Sequence, residues 1–220
     1  MIGTYGHGTE NDFVLLFDPE NQNELSAEQV ARICNRESGI GSDGFIRIGK
    51  INNRWFMDYR NNDGSLAEMC GNGIRVMGRY LIERGYQGEG IVPVETRDGT
   101  KYLNVPKDAD ISVNMGGIEV LSSDIQVDSN GKKWVGGYNV NVGNPHAVGL
   151  VDYGKDAGDL KNAPLVNPKS EYPDGVNVEF VEFMENGELK MRVHERGVGE
   201  TRSCGTGICA VAMAATLKTG

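Results

Sequence analysis

The chain has 220 residues, of which 39% are hydrophobic and 24% charged, with a formal net charge of −9. That mixture is globular and excludes wholesale disorder; at ~100–200 residues per domain, the length gives one large domain or two small ones. The acidic balance excludes non-specific binding to nucleic-acid phosphates, and no run approaches the ~20 apolar residues of a membrane helix. The start, Met1 to His7, lacks a basic-then-apolar signal segment, and four cysteines are too few for a disulfide scaffold. Reduced thiols and a cytoplasmic location are therefore expected. The 31 glycines are about twice the usual share, are not periodic, and often sit beside Asn, Asp or Cys, the composition of tight turns and close backbone approach.

Taken in chain order, Asp12–Asp18, Gly44–Ile51, Arg54–Arg60, Gly90–Glu95, Lys101–Val105, Ile111–Met115, Tyr138–Val142, Ala147–Val151, Asn177–Phe183 and Leu189–Glu195 read as strands. Asp98-Gly99 and Asn186-Gly187 read as hairpin turns. Ser26 and Gln29 form a capping box that opens a helix to about Glu37. A second helix runs from about Gly71 to Arg84 and stops at Gly85; a third starts near Gly205 and runs to the end. The polar stretches Ser122–Lys133 and Gly154–Gly175 read as loops. Hairpins with few helices give an α+β class with mixed or antiparallel sheets.

One internal repeat stands out. Met-Cys-Gly-Asn-Gly-Ile at 69–74 and Ser-Cys-Gly-Thr-Gly-Ile at 203–208 share the core Cys-Gly-X-Gly-Ile. In both, a polar irregular segment precedes the Cys and a helical pattern follows. Two half-chains of similar fold are expected, each with a Cys at a helix N-terminus, the two thiols facing each other across a cleft. A helix N-terminus carries unpaired N–H groups and about half a positive charge, which stabilises a thiolate. A thiolate and a thiol on opposite sides of one carbon suit inversion beside a carboxylate: one removes the proton, the other delivers one. The helix ends would hold the charge that accumulates on the carboxylate.

Plainer readings stand beside this one. A Cys is often a small buried hydrophobe, and Cys34 and Cys209 are read that way. Cys204-x4-Cys209 lacks the partners of a zinc site, so no metal is expected. Arg60 to Ser65 also reads as a turn, Gly143-Asn144-Pro145-His146 as a sharp turn with polar handles, and Glu195-Arg196 as a surface ion pair. A redox-switched dithiol remains a different class of function.

The residues Asn61-x-Asp63-Gly64-Ser65-x-Ala67-x-Met69-Cys70-Gly71-Asn72-Gly73-x-Arg75 closely resemble the first-cysteine signature of the diaminopimelate epimerases. Glu195-Arg196-Gly197-x-Gly199-Glu200-Thr201-x-x-Cys204-Gly205-Thr206-Gly207 resembles the second. His7-Gly8-x-x-Asn11-Asp12-Phe13 and Gly143-Asn144-Pro145-His146 resemble two further segments, in the same order. The resemblance implies cofactor-independent interconversion of L,L- and meso-diaminopimelate, for lysine and peptidoglycan synthesis, without pyridoxal phosphate or metal. It implies two pseudo-symmetric α/β domains, drawn here as 1–117 and 118–220, each a mixed sheet around a central helix, with the site in the cleft between them.

Carried over by motif, Cys70 and Cys204 would be the acid/base pair, and His146 and Glu195 complete the catalytic set. Gly71, Asn72, Gly205 and Thr206 would present N–H groups to the reacting carboxylate. Asn11, Asn61, Asn144, Asn177, Glu195 and Arg196 would hold the remaining polar groups of this small-molecule substrate. Two departures are visible. Gly44 stands where the family often has Gln. The family pattern also continues ~50 residues beyond the second-cysteine helix, as judged from two-domain size, so the C-terminal half is expected to be shortened, and a homodimer is expected where that region is present. Alternatives within reach are a proline or hydroxyproline racemase, for which the Asn-rich distal contacts have no use, and an inactive truncated form.

Overall fold

The computed structural model describes residues 3–220. One compact unit ends at Met115 and a second begins at Gly116. The first contains β1 (Gly3–Gly8), β2 (Asn11–Phe17), α1 (Ala27–Cys34), β3 (Gly44–Ile51), β4 (Arg54–Asn61), α2 (Gly71–Glu83), β5 (Gly90–Thr96), β6 (Gly99–Val105) and β7 (Ser112–Asn114). Its seven strands form one sheet in chain order. The two parallel steps, β2–β3 and β4–β5, are the two bridged by helices; the rest are antiparallel. This is the connection rule at work, since a parallel pair needs a crossover that a tight turn cannot supply.

Helix α2 packs against one face of this sheet through Ile74, Met77 and Leu81, which meet Phe13, Leu15, Ile46, Ile48, Leu103 and Val105 in a closed core. Helix α1 covers the other face, where Val30 and Cys34 meet Val14, Leu16 and Phe45. Cover on both faces is why β2 reads Phe-Val-Leu-Leu-Phe without alternation. The capping box at Ser26 and Gln29 is present with both reciprocal bonds. The helix ends at Cys34, earlier than the expected Glu37, because Asn35 turns extended and its Oδ1 accepts the N–H groups of Glu37 and Ser38. The β5–β6 turn consists of Arg97 and Asp98, with Gly99 already paired to Thr96 at the head of β6.

The second unit contains β8 (Glu119–Ser129), β9 (Lys132–Asn141), β10 (Pro145–Val151), β11 (Leu165–Asn167), β12 (Asn177–Phe183), β13 (Leu189–Glu195), β14 (Gly199–Thr201) and α3 (Gly205–Thr219). The sheet order is β11-β8-β9-β10-β12-β13-β14, with β10–β12 the parallel step. The expected loop at Ser122–Lys133 is instead most of a long hairpin turning at Asn130-Gly131, both at positive φ. Its polar residues line the exposed side, while Ile125 and Val127 are fully buried. The stretch Gly154–Gly175 is largely irregular, as expected, but holds two short 3-10 turns and β11. Its Ala157, Leu160, Val166 and Tyr172 cap the sheet beside Phe180 and Val178.

The two units repeat one pattern. Strands β1–β2–β3–β4 pair antiparallel, parallel, antiparallel and lead into α2. Strands β9–β10–β12–β13 pair in the same sequence and lead, through β14, into α3. The registers match as well: Val14 faces Phe45, which faces Arg60, as Ala147 faces Val178, which faces His194. Arg60 then bridges Leu66, four residues before Cys70, as His194 pairs with Glu200, four before Cys204. In this register Phe13 corresponds to His146, Ile46 to Glu179, Asn11 to Asn144, Asn61 to Glu195, Asn72 to Thr206 and Gly73 to Gly207. The fold is α+β, built from two pseudo-symmetric halves. No helix among the described residues is long and apolar enough to cross a membrane.

Candidate active site

Each repeat places its cysteine as the N-cap of a helix. Cys70 has φ −133° and ψ 117°, and its sulfur accepts the Gly73 N–H at 3.4 Å. Cys204 has φ −126° and ψ 115°, and its sulfur accepts the Gly207 N–H at 3.4 Å. A sulfur here takes the role usually held by a Ser or Asp oxygen. The glycines three residues on are required for space. A Cβ on Gly73 would meet Ile46 Cδ1 at 2.9 Å, and one on Gly207 would meet Glu179 Oε1 at 2.6 Å.

Around Cys70, Asn11 is central. Its Oδ1 lies 3.7 Å from the Cys70 sulfur and accepts Asn72 Nδ2 at 3.3 Å. Its own Nδ2 donates to Asp43 at 2.8 Å, so the amide orientation is set from behind. Asp43 and Asp12 are both gripped by Arg36. Burial would raise the Asp12 carboxyl, but bonds from Arg36, Tyr5 and the Asp43 N–H outweigh it and hold it well below the usual carboxylate range. Asn72 is buried, and its Oδ1 accepts from Arg75. Asn61, at the end of β4, donates to Ser65 Oγ at 3.0 Å within the preceding turn. Gly44 has no room for a longer residue: a Cβ would stand 2.7 Å from the Tyr59 ring and 3.0 Å from the Arg60 carbonyl.

Around Cys204, the neighbours are charged. Thr206 Oγ1 is 3.5 Å from the sulfur and accepts Asn144 Nδ2 at 3.3 Å. Asn144 Oδ1 is 2.9 Å from His146 Nε2, and His146 Nδ1 is 2.7 Å from Glu179 Oε1. His146 and Glu179 are fully buried. Glu195 accepts a bond from Thr201 and lies within hydrogen-bonding reach of the Cys204 thiol. Burial pushes the Glu195 carboxyl up, and burial followed by the charges of Glu195 and Glu179 pushes the Cys204 thiol well above its ordinary value. Bonds from Thr206 and the Gly207 N–H act in the opposite direction. Asn177 Oδ1 accepts the Arg196 backbone N–H at 2.8 Å, and the exposed Arg196 side chain reaches the Asp174 carbonyl.

Of the residues singled out from sequence, Cys70, Gly71, Asn72 and Asn11 meet at the α2 end of the first unit. Cys204, Gly205, Thr206, Asn144, His146 and Glu195 meet at the α3 end of the second, with Asn177 and Arg196 joined to each other at the ends of β12 and β13. Asn61 lies one turn before the first group. Sequence reasoning missed Arg36, Asp43 and Glu179. Asp43 and Arg36 carried no motif; Glu179 sits in a strand whose alternation reads it as outward. Cys34 packs in the α1 core, where burial pushes its thiol up. Cys209 is half-buried. No group of three or more potential metal ligands exists among the described residues.

A family model described as diaminopimelate epimerase matches residues 3–121 and 138–220. The chain is 48% identical to a diaminopimelate epimerase of Streptomyces coelicolor, covering 98% of this chain and 78% of that one. It is 44% identical to the Thermobifida fusca protein of that name, covering 96% and 81%, and 40% identical to the Mycobacterium leprae one, covering 100% and 83%. Among solved structures, a hydroxyproline epimerase from Agrobacterium vitis aligns with a TM-score of 0.67 at 16% identity, over 98% of this chain and 76% of that one. A Bacillus anthracis PhzF-family protein aligns with 0.64 at 16% identity, over 94% and 77%. At such identities these two share the fold alone. With a model spanning nearly its whole length and relatives at this level of identity, the chain belongs to the diaminopimelate epimerase family.

Proposed function

We propose that the chain interconverts L,L- and meso-diaminopimelate by two-base proton transfer, with Cys70 and Cys204 as the acid/base pair. The observation that carries this is the repeated cap: two cysteines with the same backbone conformation, each sulfur held by the N–H three residues into its helix. One thiolate takes the α-proton and becomes a thiol. The electron pair left on the α-carbon delocalises into the carboxylate, and the opposing thiol delivers its proton to the other face, leaving a thiolate. Proton count and charge are conserved, and the next turnover runs from the reverse state. Two-base inversion requires the two sulfurs on opposite faces of one carbon.

The developing carboxylate charge would be met by the N–H groups of Gly71, Asn72, Gly205 and Thr206, already oriented by the helices and so needing no rearrangement. Glu195 would exchange a proton with Cys204, within whose reach it lies, and His146 would support that end of the site. Asn11, Asn61, Asn144, Asn177 and Arg196 supply the amides and guanidinium suited to a substrate with a second amino-acid head. No cofactor or metal enters these steps. A cytoplasmic homodimer completes the proposal.

The test is solvent deuterium entering the α-position of L,L-diaminopimelate, for the parent chain and for Cys70→Ser and Cys204→Ser, with L-proline as control substrate. Exchange into diaminopimelate alone, lost in both variants, is the expected result. Exchange into neither substrate by folded, reduced protein would leave only the redox or inactive alternatives.

A further inference from the structure

Glu179 has no place in the motifs, yet it is the most enclosed acid of the second unit. It is fully buried in mid-sheet on β12, and its Oε2 has no hydrogen-bond partner. The pseudo-symmetric counterparts of Glu179 and His146 are Ile46 and Phe13, both fully buried core residues. The fold therefore packs this position under the cysteine helix with hydrocarbon in one half and with a carboxylate and an imidazole in the other. Burying that pair costs free energy that an apolar pair would not, so the architecture alone gives no reason for it.

The hydrogen-bond chain supplies one. It runs Glu179 Oε1, His146, Asn144, Thr206, Cys204 sulfur, with separations of 2.7, 2.9, 3.3 and 3.5 Å. Its direction follows from which atoms can donate. Asn144 donates through Nδ2 to Thr206 Oγ1, so its Oδ1 faces His146 and can only accept. His146 Nε2 must then carry a hydrogen. Between Nδ1 and Glu179 lies one proton, on the imidazole or on the carboxyl, and either placement satisfies both atoms. At the far end, Thr206 Oγ1 already accepts from Asn144, which leaves its own hydrogen to point at the Cys204 sulfur. The Gly207 N–H reaches the same sulfur.

Resting on the function proposed above, we propose that Glu179 is a positioning residue. Acting through His146, Asn144 and Thr206, it fixes the direction of this chain so that a hydroxyl hydrogen is aimed at the Cys204 sulfur when that sulfur is a thiolate. In the first half the counterparts of Glu179 and His146 are hydrocarbon, so the two sulfurs are treated differently: the Cys70 thiol donates to the amide oxygen of Asn11, whereas Cys204 is met by an oriented hydroxyl.

Two measurements test this. In 15N-histidine spectra of the parent chain, His146 Nε2 carries a hydrogen that exchanges slowly with solvent. An unprotonated Nε2 would mean that the chain runs the other way and would overturn the proposal, whether or not the protein turns over diaminopimelate. In kinetics, Glu179→Met lowers kcat by about 10²-fold with KM within about threefold, while Glu179→Gln, which can still donate to Nδ1, recovers most of that loss. Adding Glu179→Met to Thr206→Val brings no further loss, because the chain is already cut. Should the Met variant not fold, Glu179→Asp shortens the reach to Nδ1 and is expected to show the same kcat loss. Equal impairment of the Gln and Met variants, a loss carried by KM, or multiplying losses in the double variant would each overturn the proposal. An inactive parent with protonated Nε2 would count against the proposed function and leave the positioning role supported.

Discussion

Gly207 and Glu179 compete for one space: a Cβ on Gly207 would stand 2.6 Å from Glu179 Oε1 and 3.3 Å from the Cys204 sulfur. Gly207→Ala must therefore displace a buried acid tied to His146. It is expected to lower stability by about 1–3 kcal/mol through overpacking and to lower turnover by about 10²-fold by moving the chain that ends at Cys204. Gly73→Ala meets the flexible Ile46 tip instead and should lose less of both. Urea titration and α-deuterium exchange on the two variants check the ordering.

Cys70→Ser and Cys204→Ser should each slow epimerisation by about 10²–10⁴-fold, the range attributed to a general acid or base. A serine keeps the cap and the helix, so circular dichroism and melting temperature should remain close to those of the parent. A stable protein with kcat within tenfold of the parent in either variant would contradict the assignment.

The pH dependence has a definite sign. The proposed two-base reaction needs one thiolate and one thiol, so the profile should be bell-shaped. Burial and the neighbouring carboxylates hold the Cys204 proton on, which places the loss of that proton above the ordinary thiol range. Replacing Glu195 by Gln removes one of those charges, so Cys204 should ionise at lower pH. Alkylation of Cys204 followed by peptide mass spectrometry across pH is expected to show its midpoint moving down, with that of Cys70 as the internal reference.

Asp58 anchors the first sheet. Its buried carboxylate is shared by Arg47, Arg60 and Arg97, and burial alone would raise it, but the three guanidiniums hold it below its ordinary value. Asp58→Asn should cost about 2–4 kcal/mol by leaving partly buried arginines without their counter-charge. Because the folded-state value is depressed, this stability is complete above the ordinary aspartate range near ~4 and declines as pH falls through the lower folded value. The parent should lose stability on acidification over that window, and the difference from the Asn variant should shrink there, as read by chemical denaturation at stepped pH.

The cysteine repeat, the capping box and the flanking family segments were legible because each depends on local chemistry: a cap residue, a glycine, a fixed spacing. The helices followed, since α2 and α3 begin at the motif glycines and α2 is stopped by Gly85. The Ser122–Lys133 hairpin was not legible. Its outward residues are polar and its turn, Asn130-Gly131, falls inside what reads as loop, so only two buried side chains mark it as strand. The two-residue turn Asn52-Asn53, both at positive φ, carried no turn signature of its own and was bounded only by the strands read on either side of it.

By itself the sequence determined which residues can carry the chemistry, because thiols, amides and helix-starting glycines announce themselves at short range. Only tertiary structure decided how differently the two halves treat their cysteines. A strand pattern such as Val178-Glu179-Phe180 reports alternation but not whether the second face is covered. Here β12 lies between β10 and β13 with both faces closed, so Glu179 turns inward where its counterpart is an isoleucine. Whether a carboxylate meets water or an imidazole depends on what packs above it, and the residues that do so come from distant parts of the chain.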